Sequence, residues 1–129
     1  MTGSYLLDTN IVVALLSGDM KVKDEIASAD EVFISVVVLG ELYYGVEKSI
    51  KVEQNRDQIN KFADTVTVLE CDEDTATEYG KIKSHLKKAG TLIPENDIWI
   101  SATGRQFDLT ISTRDKHFRH VPDVKLVEW

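Results

Sequence analysis

The most constraining feature of this 129-residue chain is a rhythm of short apolar runs set between longer periodic ones. Apolar runs, most of them rich in β-branched residues, occur at Tyr5–Leu7, Val32–Val36, Val66–Leu69, Leu109–Ser112 and Lys125–Val127. Runs of that length and composition read as strands. The intervening segments Ile11–Leu16, Val22–Ser28, about Val37–Glu47, Glu53–Asp64, Asp74–Lys88 and Asp97–Phe107 repeat their apolar residues at helical spacing. Strands separated by helices cannot pair through tight hairpins. They pair in parallel through right-handed crossovers, and the helices cover both faces of the sheet. The expectation is therefore an α/β fold with a parallel sheet of about five strands.

Length supports one domain over residues 1–129, because 14.5 kDa with 43% apolar residues can build a core. No repeat, low-complexity tract or Gly/Ser linker divides it. The polar stretch Ser49–Asp57 reads as a bridge between two helices of an extended hairpin. Gly90 fits a helix C-cap, and Pro94 ahead of Asn96 and Asp97 marks the next helix start. No apolar run approaches the roughly 18 residues of a membrane span, and Met1–Tyr5 lacks the basic start and apolar centre of a secretory signal. The expected location is the cytoplasm. The lone Cys71 has no internal disulfide partner and, just after an apolar run, is expected to be a small buried hydrophobe.

A formal net charge of −7 argues against binding nucleic acid by bulk electrostatics. The argument reverses if several acids converge on bound cations, through which a polyanion can approach. Four acids stand where convergence is possible. Asp8 ends the first strand in LLDTN, Glu41 follows the second in LGELYYG, Asp97 opens a helix in NDIWISATGRQF, and Asp115 follows LTIST by two residues. In an open parallel sheet the ligand crevice lies beyond the carboxyl ends of the strands, where all four would meet.

Each acid taken singly has a simpler explanation. Asp8 fits a helix N-cap, Asp97 a helix-dipole partner and Asp115 a turn residue. Glu41 does not fit a free surface, because apolar residues flank it on both sides, and a buried unpaired carboxylate costs several kcal/mol. Clustered carboxylates repel one another and raise each other's pKa, a penalty that a divalent cation removes. Mg²⁺ and Mn²⁺ suit a set of oxygen ligands without His or Cys. Asn10, Asn96, Ser35 and Thr113 are polar neighbours able to orient carboxylates or water.

The order DTN after a first strand, GEL with a glycine shortly behind it, ND opening a late helix and T-x-D after the next strand resembles the PIN-domain ribonucleases. In size the chain is similar to the VapC toxins of type II toxin–antitoxin modules. The resemblance runs from Leu6 to about Phe118. It implies a PIN-like three-layer α/β/α sandwich with sheet order 3-2-1-4-5 and an Mg²⁺- or Mn²⁺-dependent endoribonuclease. It places the catalytic metal site on Asp8, Glu41, Asp97 and Asp115, with Thr113 as a hydroxyl neighbour. Asp8 and Asp97 would be direct ligands, Glu41 a ligand or water-orienting base, and Asp115 a second-metal or outer ligand. A homodimer and a small VapB-like antitoxin, whose tail enters the cleft, are implied as partners.

Arg114, Lys116 and Arg119 flank Asp115 and are candidate contacts to RNA phosphate. His117 and His120 in HFRH lack a cysteine or a third histidine and do not read as a zinc site. Of Tyr43 and Tyr44, at least one should pack in the core or at a dimer interface. A haloacid-dehalogenase-like phosphatase would need an aspartate two residues after Asp8, where Asn10 stands. A receiver-like signalling domain would need an aspartate ending its central strand, whereas VTVLE ends in Glu70.

Overall fold

Leu6 and Leu7 are both fully buried although neighbouring strand residues point to opposite faces, so the sheet is covered on both sides. The computed structural model describes residues 3–129; Met1 and Thr2, the start of the segment read as lacking a secretory signal, lie outside them. The elements run β1 (Ser4–Leu7), α1 (Thr9–Leu16), α2 (Met20–Ser28), β2 (Glu31–Ser35), α3 (Val36–Glu47), α4 (Val52–Ala63), β3 (Thr67–Leu69), α5 (Glu73–Ala89), α6 (Glu95–Phe107), β4 (Thr110–Ser112) and β5 (Lys125–Val127).

All strand pairs are parallel and the order is β3-β2-β1-β4-β5. The chain steps from β1 through β2 to β3, then returns to the far side of β1 for β4 and β5. Right-handed crossovers consequently put α1–α4 on one face and α5–α6 on the other. The order reverses between β1 and β4, where Leu7 pairs with Ser112. The helices on either side of that point leave a crevice beyond the two strand ends.

The core follows this division. Leu6, Leu7, Val12, Val22, Ile34, Val38, Leu42, Ile59 and Phe62 belong to the main cluster, while Ile82, Leu86, Ile93, Ile98 and Ala102 form a second between α5 and α6. Gly104 lets α6 lie directly on β4, since a Cβ there would come within 2.8 Å of Ile111 Cδ1. Asp72 and Thr75 form a capping box that starts α5, and Gly90 ends it in the left-handed conformation at φ 71°.

The structure departs from the sequence expectations in four places. Val36 is the first residue of α3 rather than the last of β2, because the Ser35 hydroxyl accepts from Val38 N at 3.2 Å and ends the strand. The polar stretch Ser49–Asp57 is mostly helix: α4 begins at Val52, so the hairpin turn is short. Cys71 is exposed, lying past the end of β3 on the turn into α5. Residues Lys116–His120 form a 3₁₀ helix outside the segments read as helical, although His117 and His120 are spaced like helix neighbours. Among the described residues, no helix is long and apolar enough to cross a membrane.

Candidate active site

Asp8 leaves β1 with extended backbone at the point where the sheet order reverses. Its N–H donates to Ser112 O at 2.9 Å, which ties the ends of β1 and β4 together. One carboxylate oxygen, Oδ1, caps α1 by accepting from Thr9 N at 2.8 Å. The other, Oδ2, accepts from the Thr113 hydroxyl at 2.7 Å and from Asn10 Nδ2 at 3.2 Å. The Thr113 hydroxyl accepts in turn from Asp115 N at 2.9 Å, and Asn10 Oδ1 accepts from Arg114 N at 3.1 Å. Thr113 and Asn10 therefore fix both the direction of Asp8 and the path of the 113–115 segment.

Three more elements bring acids to this point. The Ser35 cap starts α3 at the end of β2, and Glu41, half-buried in its second turn, accepts from Thr9 Oγ1 at 2.8 Å. Asp97 is the third residue of α6, behind Pro94, and is 8% exposed. Asp115 Oδ1 caps the 3₁₀ helix through His117 N at 2.9 Å. That turn swings the His117 ring back over the acids, with Nδ1 3.0 Å from Asp115 Oδ1 and 3.4 Å from Asp97 Oδ2. One donor atom each from Asp97, Asp115 and His117 lie within 4.8 Å of one another.

Burial is the main reason the Asp97 carboxyl is pushed up to about 7; the charges of Asp115 and Asp8 push the same way, while His117 pulls down. Asp8 is also raised by burial, and its bonds from Thr113 and Thr9 only partly offset this and the charges of Glu41 and Asp115. The four acids thus share one electrostatic neighbourhood. Repelling carboxylates held together by backbone and hydroxyl bonds are a donor set for a hard divalent cation, and the residues present fit Mg²⁺ or Mn²⁺.

Asp8, Glu41, Asp97 and Asp115 converge with Thr113 and Asn10. Ser35 caps α3 instead of facing the acids, and Asn96 is exposed beside Glu41 and Tyr44 in a shallow depression. Tyr43 packs against the core, while Tyr44 is exposed. Lys116 and Arg119 are exposed and line a pocket of about 140 Å³ with Thr113 and Asp115. The Arg114 side chain is otherwise engaged, on Asp19 and on Trp129 O. Sequence reasoning missed His117, whose one signal was its place two residues past Asp115.

Residues 5–124 match the family model of the PIN domain. The chain belongs to the PIN-domain family. Among PIN relatives it is 34% identical over 128 residues to the Ribonuclease VapC2 of Haemophilus influenzae, covering 97% of each chain. It is 32% identical over 134 residues to a tRNA(fMet)-specific endonuclease VapC of Shigella flexneri, again with 97% of each covered. The fold superposes on that of VapBC2 from Rickettsia felis bound to a promoter DNA fragment, with a TM-score of 0.90, 29% identity and 98% of both chains covered. Membership in the PIN family leaves the phosphatase and receiver readings without support.

Proposed function

We propose that this PIN protein is the toxin of a VapBC-type toxin–antitoxin pair, a cytoplasmic endoribonuclease of one domain that depends on Mg²⁺ or Mn²⁺. The observation that carries the reading is the crowding of Asp8, Glu41, Asp97 and Asp115 at the switch point of the sheet, severe enough to raise Asp97 to about 7. Asp8, Asp97 and Asp115 would hold the cation, with Glu41 as a further ligand or the base that orients water and His117 beside Asp97 and Asp115. When bound, a divalent cation supplies water activated near neutral pH and screens charge developing on the phosphate.

The protein's own residues set the geometry of the reaction. Thr113 and Asn10 fix the Asp8 carboxylate, so its oxygens do not reorganise as the phosphate approaches. Glu41, held by Thr9, takes the proton of the attacking water. The water oxygen bonds to phosphorus, the bond from phosphorus to the 3′ oxygen breaks, and that oxygen takes a proton from solvent. The products are a 3′-hydroxyl and a 5′-phosphate. Lys116 and Arg119 contact flanking phosphates beside Asp115.

The partners follow the relatives. The solved neighbours include VapBC complexes, and the site assigned to a VapB-like antitoxin is a groove of about 380 Å³ lined by Val13, Leu16, Leu42, Val46 and Ile59 together with Thr9 and Glu41. An apolar segment lying there would bring its end to the acids. The active form is a homodimer. The name of the Shigella relative makes tRNA(fMet) the first RNA to assay within the class of single-stranded or loop regions.

Induced expression of the chain alone is expected to stop growth, and co-expression of an antitoxin encoded in the adjacent reading frame to restore it. Asp8→Asn should be harmless at equal protein level. Growth arrest by Asp8→Asn as strong as by wild type would defeat the reading.

A further inference from the structure

Arg114 stands between Thr113 and Asp115 and, from sequence, is a natural hand for RNA phosphate. Its guanidinium is already occupied. Nη2 lies 2.8 Å from Asp19 Oδ2, and Nε donates to Trp129 O at 2.8 Å. Two nitrogens of one planar fork are thereby fixed in direction, which a lysine could not reproduce. Asp19 is itself prepared for the contact. Gly18, at φ 90°, turns the chain between α1 and α2, and Asp19 Oδ1 caps α2 by accepting from Val22 N at 3.1 Å. The cap aims the second oxygen, Oδ2, outward to Arg114.

The same residue is tied a second time through its backbone, where Arg114 N donates to Asn10 Oδ1 at 3.1 Å. Asn10 Nδ2 donates in turn to Asp8 Oδ2. A continuous path thus runs from the α1–α2 turn through Arg114 and Asn10 to the acid at the end of β1, and Thr113 closes it from the other side. We propose that Arg114, with Asp19, is a positioning residue that clamps the 113–115 segment against the start of α1 and so sets the relative placement of Asp8 and Asp115. A half-exposed ion pair of this kind adds little to stability. Its effect is on site order, since displacing catalytic groups by about 1 Å can cost on the order of 100-fold in rate.

The kinetic part of this inference rests on the nuclease reading; the metal-binding part does not. The test uses the purified full chain with Asp19→Asn, Arg114→Ala and the double substitution. Asn keeps the α2 cap acceptor while removing the charge, and circular dichroism and melting check that each variant is folded. Two quantities are read: the affinity for Mn²⁺ alone, by electron paramagnetic resonance, and kcat and KM on a labelled RNA. Clamping predicts that each single variant weakens Mn²⁺ binding by about 10-fold, as loss of groups behind metal ligands does. It also predicts that each lowers kcat with KM within about 2-fold, and that the double variant is no worse than either single, as expected of residues acting as one unit.

A phosphate contact predicts the opposite pattern. Arg114→Ala would then raise KM and spare kcat, while Asp19→Asn, by freeing the guanidinium, would equal or better the wild type. Either that pattern or unchanged Mn²⁺ affinity in both single variants overturns the proposal. If the wild type cleaves no RNA with any metal, the nuclease reading fails and the Mn²⁺ affinities still decide the clamp.

Discussion

Replacing Asp97 by asparagine should stabilise the metal-free protein while destroying its activity. Asp97 is buried among like charges, and its carboxyl is raised from 3.8 to about 7. Between those values the folded protein holds a proton that the unfolded chain has released, so stability falls as pH rises through this window and levels off above it. At about 1.4 kcal/mol per pH unit the full interval corresponds to at most about 4 kcal/mol. Solvent and salt ions reach the cleft, so a realised difference of about 1–3 kcal/mol is expected. The asparagine variant keeps the shape and lacks the charge.

Urea unfolding in EDTA at pH 5 and pH 8 measures this directly. The wild type should lose stability relative to Asp97→Asn by about 1–2 kcal/mol between the two pH values, since only about 2 of the pH units between 3.8 and 7 lie inside this range, with unchanged m-values. Adding Mn²⁺ at 100 times its dissociation constant should return about 2.7 kcal/mol to the wild type and less to the variant. A variant less stable than wild type at pH 8 without metal, or a difference that does not change with pH, would refute the claim that Asp97 is strained by burial and its neighbours.

Thr113→Val removes a hydroxyl that serves Asp8 Oδ2 and Asp115 N in a buried position. It should lower stability by about 1–3 kcal/mol in the same urea assay and reduce kcat more than it raises KM. Lys116→Ala and Arg119→Ala should each raise KM with kcat preserved and make binding less salt-dependent by about 0.7 in the log–log slope, the value for one phosphate on a single strand. Fluorescence anisotropy across a salt series with a non-cleavable RNA would show it; an unchanged slope would exclude those side chains from the RNA path.

Much of this arrangement was legible in the chain because strand ends are written in short-range signals. LLDTN announces a strand that stops in an acid, and the rhythm of strands and helices orders the layers. Ser35 and Val36 show where such signals mislead: valine favours strands, but a serine cap outweighs that preference and starts a helix one residue early. The α4 start at Val52 lies one residue ahead of the Glu53 read from periodicity, and Lys51 makes no side-chain cap bond that would mark it. Cys71 resembled a core residue by its neighbours, yet it sits on the turn that delivers Asp72 to cap α5.

The site residues divide along the same line. Asp8, Glu41, Asp97 and Asp115 lie at element boundaries, where sequence position alone suggests convergence. His117 joins them only because a short 3₁₀ turn, outside the segments read as helical, reverses its direction. Arg114 looked like its basic neighbours, and its engagement depends on Asp19 and Trp129, distant in sequence on both sides.

Whether the converging carboxylates work as a metal-dependent RNA hydrolase is decided by incubating the purified chain with tRNA(fMet) under Mg²⁺, Mn²⁺ or excess EDTA and determining the chemistry of the new ends. Cleavage is expected with either cation, with none in EDTA or with Asp8→Asn, and with fragments ending in 3′-hydroxyl and 5′-phosphate. Equal cleavage in EDTA, or 2′,3′-cyclic phosphate ends, would contradict that mechanism.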